Sequence, residues 1–344
     1  MSGVVDRPAG WEDYWRALSE GDSASAVGVA LELHRGGMDV PEILEVLVAA
    51  AQVEVGRRWA ANEWNVAQEH RATSVAEDVV AALAGQVEAP QGSGTAVVSC
   101  VDGEWHSLPS RVVATVLRAT GWKVHYLGAS LPVAHLVQLL QDVGPDLTAL
   151  SCSVPTALWR ARAMVEASRE AGVPVLVGGP GFGPAGRWGL RIGADGTAGT
   201  ARQGAALVGS PGWPRFTDPA PPLESPDDTA GLLRRRREVL VSSAVGRLVQ
   251  RWPATRRYDD HQMARTEEDM GHLVDFLAAA LYVDDPRLYT DFVVWMDHVL
   301  VKRGVPTPAL VAGINVTRGA VEEVLGTAER PDRYLAMALD ALAG

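Results

Sequence analysis

The chain has 344 residues, of which 47% are hydrophobic and 21% charged, and its formal net charge is −11. This length predicts two or three domains with ordinary apolar cores, and the acidic balance argues against the basic surface that direct nucleic-acid binding requires. No segment approaches the roughly 18 apolar residues of a membrane helix, and the first residues lack the pattern of a signal peptide. We therefore expect a cytoplasmic protein that binds neither membrane nor nucleic acid, with Cys100 and Cys152 as free thiols.

Residues 1–88 are predicted to form a bundle of helices. Apolar residues recur with helical spacing in three segments, 26–34, 41–59 and 67–83. Asn65 is well placed to cap the last of these helices, which carries Glu69 and His70.

Residues 89–208 alternate between short apolar runs and amphipathic segments. The apolar runs, which predict buried strands, are 97–101, 123–127, 147–151 and 173–177. The segments with helical spacing lie between them, at 111–120, 133–143 and 157–171. Alternation of this kind predicts a doubly wound parallel sheet, so we expect a Rossmann-like α/β domain.

Residues 209–228 contain six prolines, which cannot continue a regular helix or sheet. This composition predicts a semi-rigid linker and a domain boundary. Residues 229–344 show helical spacing without strand-like alternation, and we expect a third, all-α domain there. Its predicted helices cover 239–252, 267–282, 286–303, 308–325 and 332–342.

A turn with the sequence Glu104-Trp105-His106-Ser107 follows the first predicted strand. In open α/β sheets, ligands bind at the carboxyl ends of the strands. Glu104 can accept a hydrogen bond from the imidazole of His106 and fix its tautomer, as the neighbours of metal-bound histidines do. His106 is therefore a candidate metal ligand. The alternative is an ordinary loop histidine with Glu104 as its surface partner.

Two motifs together resemble the CarH-type light-sensing cobalamin proteins, over both the predicted bundle and the predicted sheet. One is the acid-x-His turn at Glu104 and His106, and the other is Trp59 followed after nine residues by Glu69 and His70. The resemblance implies that His106 takes the lower axial position on cobalt. It also implies that the bundle covers the upper face of adenosylcobalamin, with Trp59 packed on the 5′-deoxyadenosyl group and with Glu69 and His70 holding that face.

Further positions agree with that family, and two depart from it. Trp105 and Ser107 flank the ligand. The small residues that the resemblance adds to the cofactor site, at the ends of the predicted strands, are Gly128, Ser151, Ser153, Gly178 and Gly179. Glycines let the backbone approach a large flat ligand closely, and small hydroxyl residues line the pocket of the nucleotide tail. Pro109 stands where glycine is usual, and Ala60 stands where light sensors often have a second histidine.

The order of the domains resembles the photocobilins, in which a helical, globin-like domain binds a bilin such as biliverdin. A bilin needs cations for its propionates and polar groups for its pyrrole nitrogens, and we expect Arg257, Tyr258, His261 and His272 to contact it. Residues 209–344 contain no cysteine, so a bilin would be held without a covalent bond. The alternatives are heme bound by a histidine, or an ordinary helix–helix loop with interface histidines.

The resemblance implies a non-catalytic photoreceptor in which light breaks the Co–C bond and the bundle shifts. The signal would then pass through a homodimer or through an unidentified protein partner. The main alternative is a corrinoid methyl-carrier protein, against which Trp59 counts because methyl transfer usually has small residues above the cobalt. A light-independent cobalamin sensor is the third hypothesis.

Overall fold

The computed structural model describes residues 7–88, 92–223, 227–326 and 328–343. It divides into two compact units, Met1–Pro222 and Leu223–Gly344. In the described ranges, no helix is both long and apolar enough to cross a membrane.

The N-terminal part of the first unit is a helical bundle. Its helices are α1 (Trp11–Glu20), α2 (Ser23–Arg35), α3 (Val40–Ile43), α4 (Ala50–Ala60) and α5 (Val66–Ala84). The predicted helix 41–59 is divided, because a π-helical turn at Leu44–Ala49 joins α3 to α4. Asn65 caps α5 as predicted, and its side chain and that of Gln68 each accept a hydrogen bond from the other residue's backbone N–H. This capping box begins α5 at Val66 and places Glu69 in its first turn.

A parallel five-stranded sheet follows the bundle, as the strand–helix alternation predicted. Its strands are β1 (Thr95–Cys100), β2 (Lys123–Tyr126), β3 (Leu147–Ser151), β4 (Val175–Gly178) and β5 (Gly196–Ala198), in the order β2-β1-β3-β4-β5. The helices of this domain are α6 (Ser107–Ala119), α7 (Val133–Val143), α8 (Leu158–Glu170), α9 (Arg187–Arg191) and α10 (Ala201–Val208). Sequence patterning missed β5, because three residues without an apolar run carry no alternation signal. Cys100 and Cys152 are buried and unbridged, which confirms them as free thiols.

Helix α6 begins at Ser107, earlier than the predicted start at residue 111. Pro109 is its third residue, and proline is tolerated in the first turn because those N–H groups have no acceptor within the helix. The early start makes His106 the residue that directly precedes the helix.

The strand order leaves a crevice between β1 and β3. The connections from these two strands run in opposite directions along the sheet, and right-handed crossovers place their helices on opposite faces. Accordingly, α6 packs with α10 and the bundle, whereas α7 packs with α8. The loops after β1 and β3 diverge at this point, which is where doubly wound sheets bind ligands.

The bundle and the sheet share one hydrophobic core, which contains Val79 of α5 and Leu117 of α6. Polar contacts also join them. Ser107 Oγ donates a hydrogen bond to Glu77 Oε1 at 3.2 Å. The first unit therefore packs the bundle directly against the turn that carries the candidate ligand.

The segment 209–223 has no helix or strand, as its prolines predicted. It is packed on the sheet domain, because the buried guanidinium of Arg162 donates to the backbone oxygens of Pro221 (2.6 Å) and Ile192 (3.0 Å). Residues 224–226 of the predicted linker lie outside the described residues.

The second unit is helical over its described residues. Its helices are α11 (Thr229–Arg235), α12 (Arg237–Arg251), α13 (Asp260–Tyr282), α14 (Pro286–Lys302), α15 (Thr307–Leu325) and α16 (Glu329–Ala343). Helix α13 begins seven residues before the predicted start at 267, because Asp259 and Gln262 form a capping box. The largest side chains that are fully buried in this unit are those of Tyr289 and Tyr334.

Gly179 and Gly172 provide a matched test of the backbone at the end of β4. Gly179 has φ 103° and ψ 160°, a conformation that only glycine readily adopts, and a side chain there would collide with the Cys152 carbonyl oxygen. Gly172 also has a positive φ, 75°, but open space surrounds it. We expect Gly172→Ala to lower the free energy of unfolding by about 1 kcal/mol and Gly179→Ala by about 3 kcal/mol or more, measured by urea denaturation. Equal losses would contradict this packing.

Candidate cofactor site

Glu104 is a buried carboxylate at the crevice, only 3% exposed. Its Oε1 accepts hydrogen bonds from His106 N (2.9 Å) and His106 Nδ1 (2.5 Å). Its Oε2 accepts from the backbone N–H groups of Ser153 (2.5 Å) and Val154 (3.2 Å), just after β3. Burial opposes ionisation of Glu104, but the hydrogen bonds from His106 and Ser153 outweigh it, so the pKa of this carboxyl lies below its ordinary value.

His106 presents its imidazole outward from this anchor. The hydrogen bond to Glu104 raises the pKa of His106 above its ordinary value against the effect of burial, and the charges of Glu104 and Glu69 add to the increase. The side chain is 63% exposed although Nδ1 is bound. In the neutral tautomer with the proton on Nδ1, Nε2 carries a lone pair that is available to a metal ion.

Ser130 braces the same turn, and no sequence pattern singled it out. Gly103 N donates to Ser130 Oγ at 3.1 Å, and Ser130 N donates to the Glu104 carbonyl oxygen at 3.0 Å. Ser130 has φ 50°, a left-handed conformation that is uncommon outside glycine. The β2–α7 loop therefore accepts local strain while it holds the histidine turn on the side opposite to β3.

One face of α5 runs from the histidine turn to the predicted upper-face residues. Glu77, which accepts from Ser107, lies on the same helix face as Thr73, Glu69 and Val66, at intervals of three or four residues. Glu69 is close enough to His106 for its charge to add to the effect of Glu104 on the pKa of the imidazole. The structure thus brings residues of the bundle and of the sheet into one site.

Glu69 and His70 form a local pair on α5. His70 Nδ1 is hydrogen-bonded to Glu69 Oε2, and Thr73 Oγ1 lies 3.0 Å from Glu69 Oε1. The side chain of His70 is 75% exposed, whereas that of Glu69 is 28% exposed. The more buried carboxylate therefore orients an exposed imidazole, which repeats in α5 the arrangement of Glu104 and His106.

Trp59 lies on the part of α4 that faces this pair. Gln52 Oε1 is 3.3 Å from Thr73 Oγ1, and residues seven apart in a helix share a face, so Gln52 and Trp59 point to the same side of α4. Trp59 is half-buried near the end of that helix. Trp59, Glu69 and His70 therefore lie near the turn between α4 and α5.

The residues at this site fit a large flat cofactor with polar groups at its edge. Gln52 Nε2 is buried and has no hydrogen-bond partner in the described residues, so a donor between α4 and α5 lacks an acceptor. Trp105 beside His106 is 75% exposed, and Val66 on the α5 face is 56% exposed. Exposed apolar side chains on the histidine turn and on the α5 face suit an apolar ring that carries a metal at its centre.

The small residues predicted for the cofactor lie at the carboxyl ends of neighbouring strands: Gly128, Ser151, Ser153, Gly178 and Gly179. A side chain on Gly128 would enter open space. Two of them also make contacts within the protein. Ser153 donates its backbone N–H to Glu104, and the absence of a side chain at Gly179 leaves room for the Cys152 carbonyl.

The residues predicted to bind a bilin are not gathered into one enclosed pocket. Arg257 is exposed at the end of a 3-10 turn, and Tyr258 beside it is half-buried. His261 and His272 are both exposed on α13, eleven residues or about 16 Å apart along the helix axis. The cluster is extended because the capping box at Asp259 makes this segment part of a helix.

Comparison with known proteins identifies the class of cofactor. Residues 94–208 and residues 11–84 match two family models, each described as a B12 binding domain. Dimethylamine corrinoid protein 1 of Methanosarcina acetivorans is 31% identical over 190 residues, which are 53% of this chain and 87% of that protein. The chain belongs to the B12-binding corrinoid proteins. This membership confirms the predicted cobalamin-binding module of bundle and Rossmann-like sheet.

Other corrinoid proteins also match the bundle and the sheet domain of this chain. The trimethylamine corrinoid protein of Methanosarcina barkeri is 27% identical, over 52% of this chain and 85% of the relative. The solved monomethylamine corrinoid protein of Methanosarcina barkeri has the same fold, with a TM-score of 0.52 and 20% identity, over 58% of this chain and 98% of that chain. Both family models end at or before residue 208, so the second unit lies outside them.

Substitution of His106 tests its predicted ligation of cobalt. We expect His106→Ala to convert bound hydroxocobalamin to a form without imidazole ligation, seen in the visible absorption spectrum and as lost nitrogen splitting in the EPR spectrum of the Co(II) form. Glu104→Gln should retain ligation but weaken cobalamin affinity about tenfold, because the imidazole loses its anionic partner. His135→Ala, an exposed histidine on α7, is the control. An unchanged spectrum in His106→Ala would remove this residue from the site.

The Glu104–His106 pair makes the stability of the cofactor-free protein depend on pH. The lowered pKa of Glu104 contributes stability above its ordinary value of 4.5, and this is lost as pH falls through the folded-state pKa. The raised pKa of His106 contributes stability below its ordinary value of 6.5, and this is lost as pH rises through the folded-state pKa. Urea denaturation should therefore show the largest difference in unfolding free energy between the wild type and Glu104→Gln at about pH 5.5. The difference should be smaller at roughly pH 3 and pH 9. A difference independent of pH would contradict the ion pair.

Proposed function

We propose that this chain is a corrinoid carrier protein that holds cobalt on His106 and presents its upper ligand beneath the bundle. The observation that carries the proposal is the buried Glu104, which orients His106 at the crevice while Glu77 of the bundle contacts the next residue, Ser107. The relatives named as dimethylamine and trimethylamine corrinoid proteins support methyl transfer as the reaction class. The carrier would be a non-catalytic partner of a separate methyltransferase.

Each side chain of the site would have a separate role in such a carrier. A bound corrinoid supplies a cobalt centre that can accept, hold and donate an alkyl group. His106 donates the Nε2 lone pair, and Glu104 increases the basicity of the imidazole through Nδ1. When His106 is not bound to metal, the hydrogen bond to Glu104 raises the pKa of the imidazole above its ordinary value.

Light sensing through adenosylcobalamin is the second candidate function, and Trp59 is the observation that favours it. A large indole at the α4–α5 turn suits a bulky adenosyl ligand better than a methyl group. In this case light would release the adenosyl group and the bundle would move relative to the sheet. Biliverdin or heme in the second unit, and a homodimer as the signalling form, remain predictions.

The two functions differ in the alkyl ligand that the upper face selects. The carrier hypothesis expects methylcobalamin to bind at least as tightly as adenosylcobalamin, and Trp59→Ala to change both affinities equally. The sensor hypothesis expects adenosylcobalamin to bind more tightly in the dark, and Trp59→Ala to weaken it about tenfold while methylcobalamin is unaffected. Isothermal titration calorimetry in the dark measures both affinities.

Trp105→Ala is the matched tryptophan variant: Trp105 lies beside the lower-face ligand, so any change in affinity it causes should be the same for methylcobalamin and adenosylcobalamin. Green light provides a second measurement. A change in hydrodynamic radius on illumination of the adenosylcobalamin complex would favour the sensor, whereas an unchanged radius together with equal alkyl affinities would contradict it.

A further inference from the structure

Arg160 lies against the histidine turn from the face of the sheet opposite to the bundle. A side chain on Gly103 would collide with Arg160 Nη1 and come within 3.0 Å of Arg160 Cζ, so the guanidinium packs on the backbone of Gly103. Met164, one helical turn further along α8, accepts a hydrogen bond at its Sδ from Asp102 N at 3.3 Å. One face of α8 therefore supports the turn, with Arg160 nearer the start of the helix.

The position of α8 places this cation at the mouth of the crevice. Helix α8 starts just after β3, at the carboxyl edge of the sheet, and Arg160 is its third residue. Gly103 belongs to the loop after β1. Arg160 therefore lies between the loops that follow β1 and β3, the two neighbouring strands at which the strand order reverses.

Arg160 is half-buried, and among the described residues its charge has no anionic partner. In the described ranges it forms no ion pair and donates no hydrogen bond, and its Cζ lies 4.7 Å from the ring centroid of Trp159. The arginines nearby in the fold are paired: Arg162 with Glu166, and Arg169 with Asp195. A guanidinium in this setting is suited to a planar or tetrahedral anion, especially phosphate.

We propose that Arg160 binds the phosphodiester of the cofactor's nucleotide tail. This inference rests on corrinoid binding through His106 and is independent of whether the protein carries methyl groups or senses light. When His106 is the lower ligand, the base of the tail is displaced from cobalt and the tail must be held by the protein. Its phosphodiester is an anion, and Arg160 is a cation beside the ligand turn that forms no ion pair within the described part of the chain. Gly103 leaves the space that the guanidinium occupies, since a side chain at this position would displace Arg160 Nη1.

Cobinamide tests this assignment, because it has the corrin ring but lacks the phosphate and the nucleotide. We expect Arg160→Gln to weaken binding of hydroxocobalamin about tenfold, the loss typical of a charge-assisted hydrogen bond, while the Kd for cobinamide changes less than about twofold. Arg160→Lys should recover part of the cobalamin affinity, since it keeps the charge but loses the forked geometry. Absorbance titration of the full-length protein gives each Kd.

Two controls separate a tail contact from a structural role. Arg215→Gln removes an exposed arginine from the same unit and should leave both affinities unchanged. The spectrum of cobalamin bound to Arg160→Gln should still show imidazole ligation. Equal losses for cobalamin and cobinamide, or no loss for cobalamin, would overturn the inference. If the wild type does not bind cobinamide, the cobalamin Kd alone decides. A cobalamin Kd that Arg160→Gln leaves unchanged overturns the inference, although corrinoid binding stands.

Discussion

A buried carboxylate that must be fully hydrogen-bonded is the constraint on which the cofactor site depends. An ionised group removed from water is stable only where donors replace its hydration, and Glu104 finds them in His106 and in two backbone N–H groups after β3. The carboxylate therefore ties together the loops of two neighbouring strands. The direction of the His106 imidazole follows from the spacing of those strands, and not only from its own loop.

The sheet order and the bundle supply the rest of the site. Because β1 and β3 are neighbouring parallel strands whose following connections run in opposite directions along the sheet, their loops can share one carboxylate without a helix between them. The bundle then reaches this point through a single face of α5, from Glu77 at the histidine turn to Glu69 and His70. Since bundle and sheet share one hydrophobic core, the two halves of the cofactor site are held in register by packing as well as by polar contacts.

Short sequence patterns correctly predicted the structural elements that depend on neighbouring residues alone. The strands β1 to β4 follow from apolar runs, and the start of α5 follows from Asn65, because capping acts within four residues. The same reasoning failed where a local signal was absent or overridden. Pro109 was not expected inside a helix, although the first turn tolerates it, and the polar residues before 267 were expected in a loop that the capping box at Asp259 converts into the start of α13.

The sequence by itself determined the cofactor class, since Glu104 and His106 with Trp59, Glu69 and His70 form a spaced motif that needs no coordinates to be recognised. Only the tertiary structure decided which other residues serve that motif. Ser130, in the loop after β2, supports the histidine turn, and Arg160 of α8 packs on the same turn. Both lie far from His106 along the chain, and neither belongs to a local pattern. Their positions follow from the order in which parallel strands are assembled, which no short segment of sequence specifies.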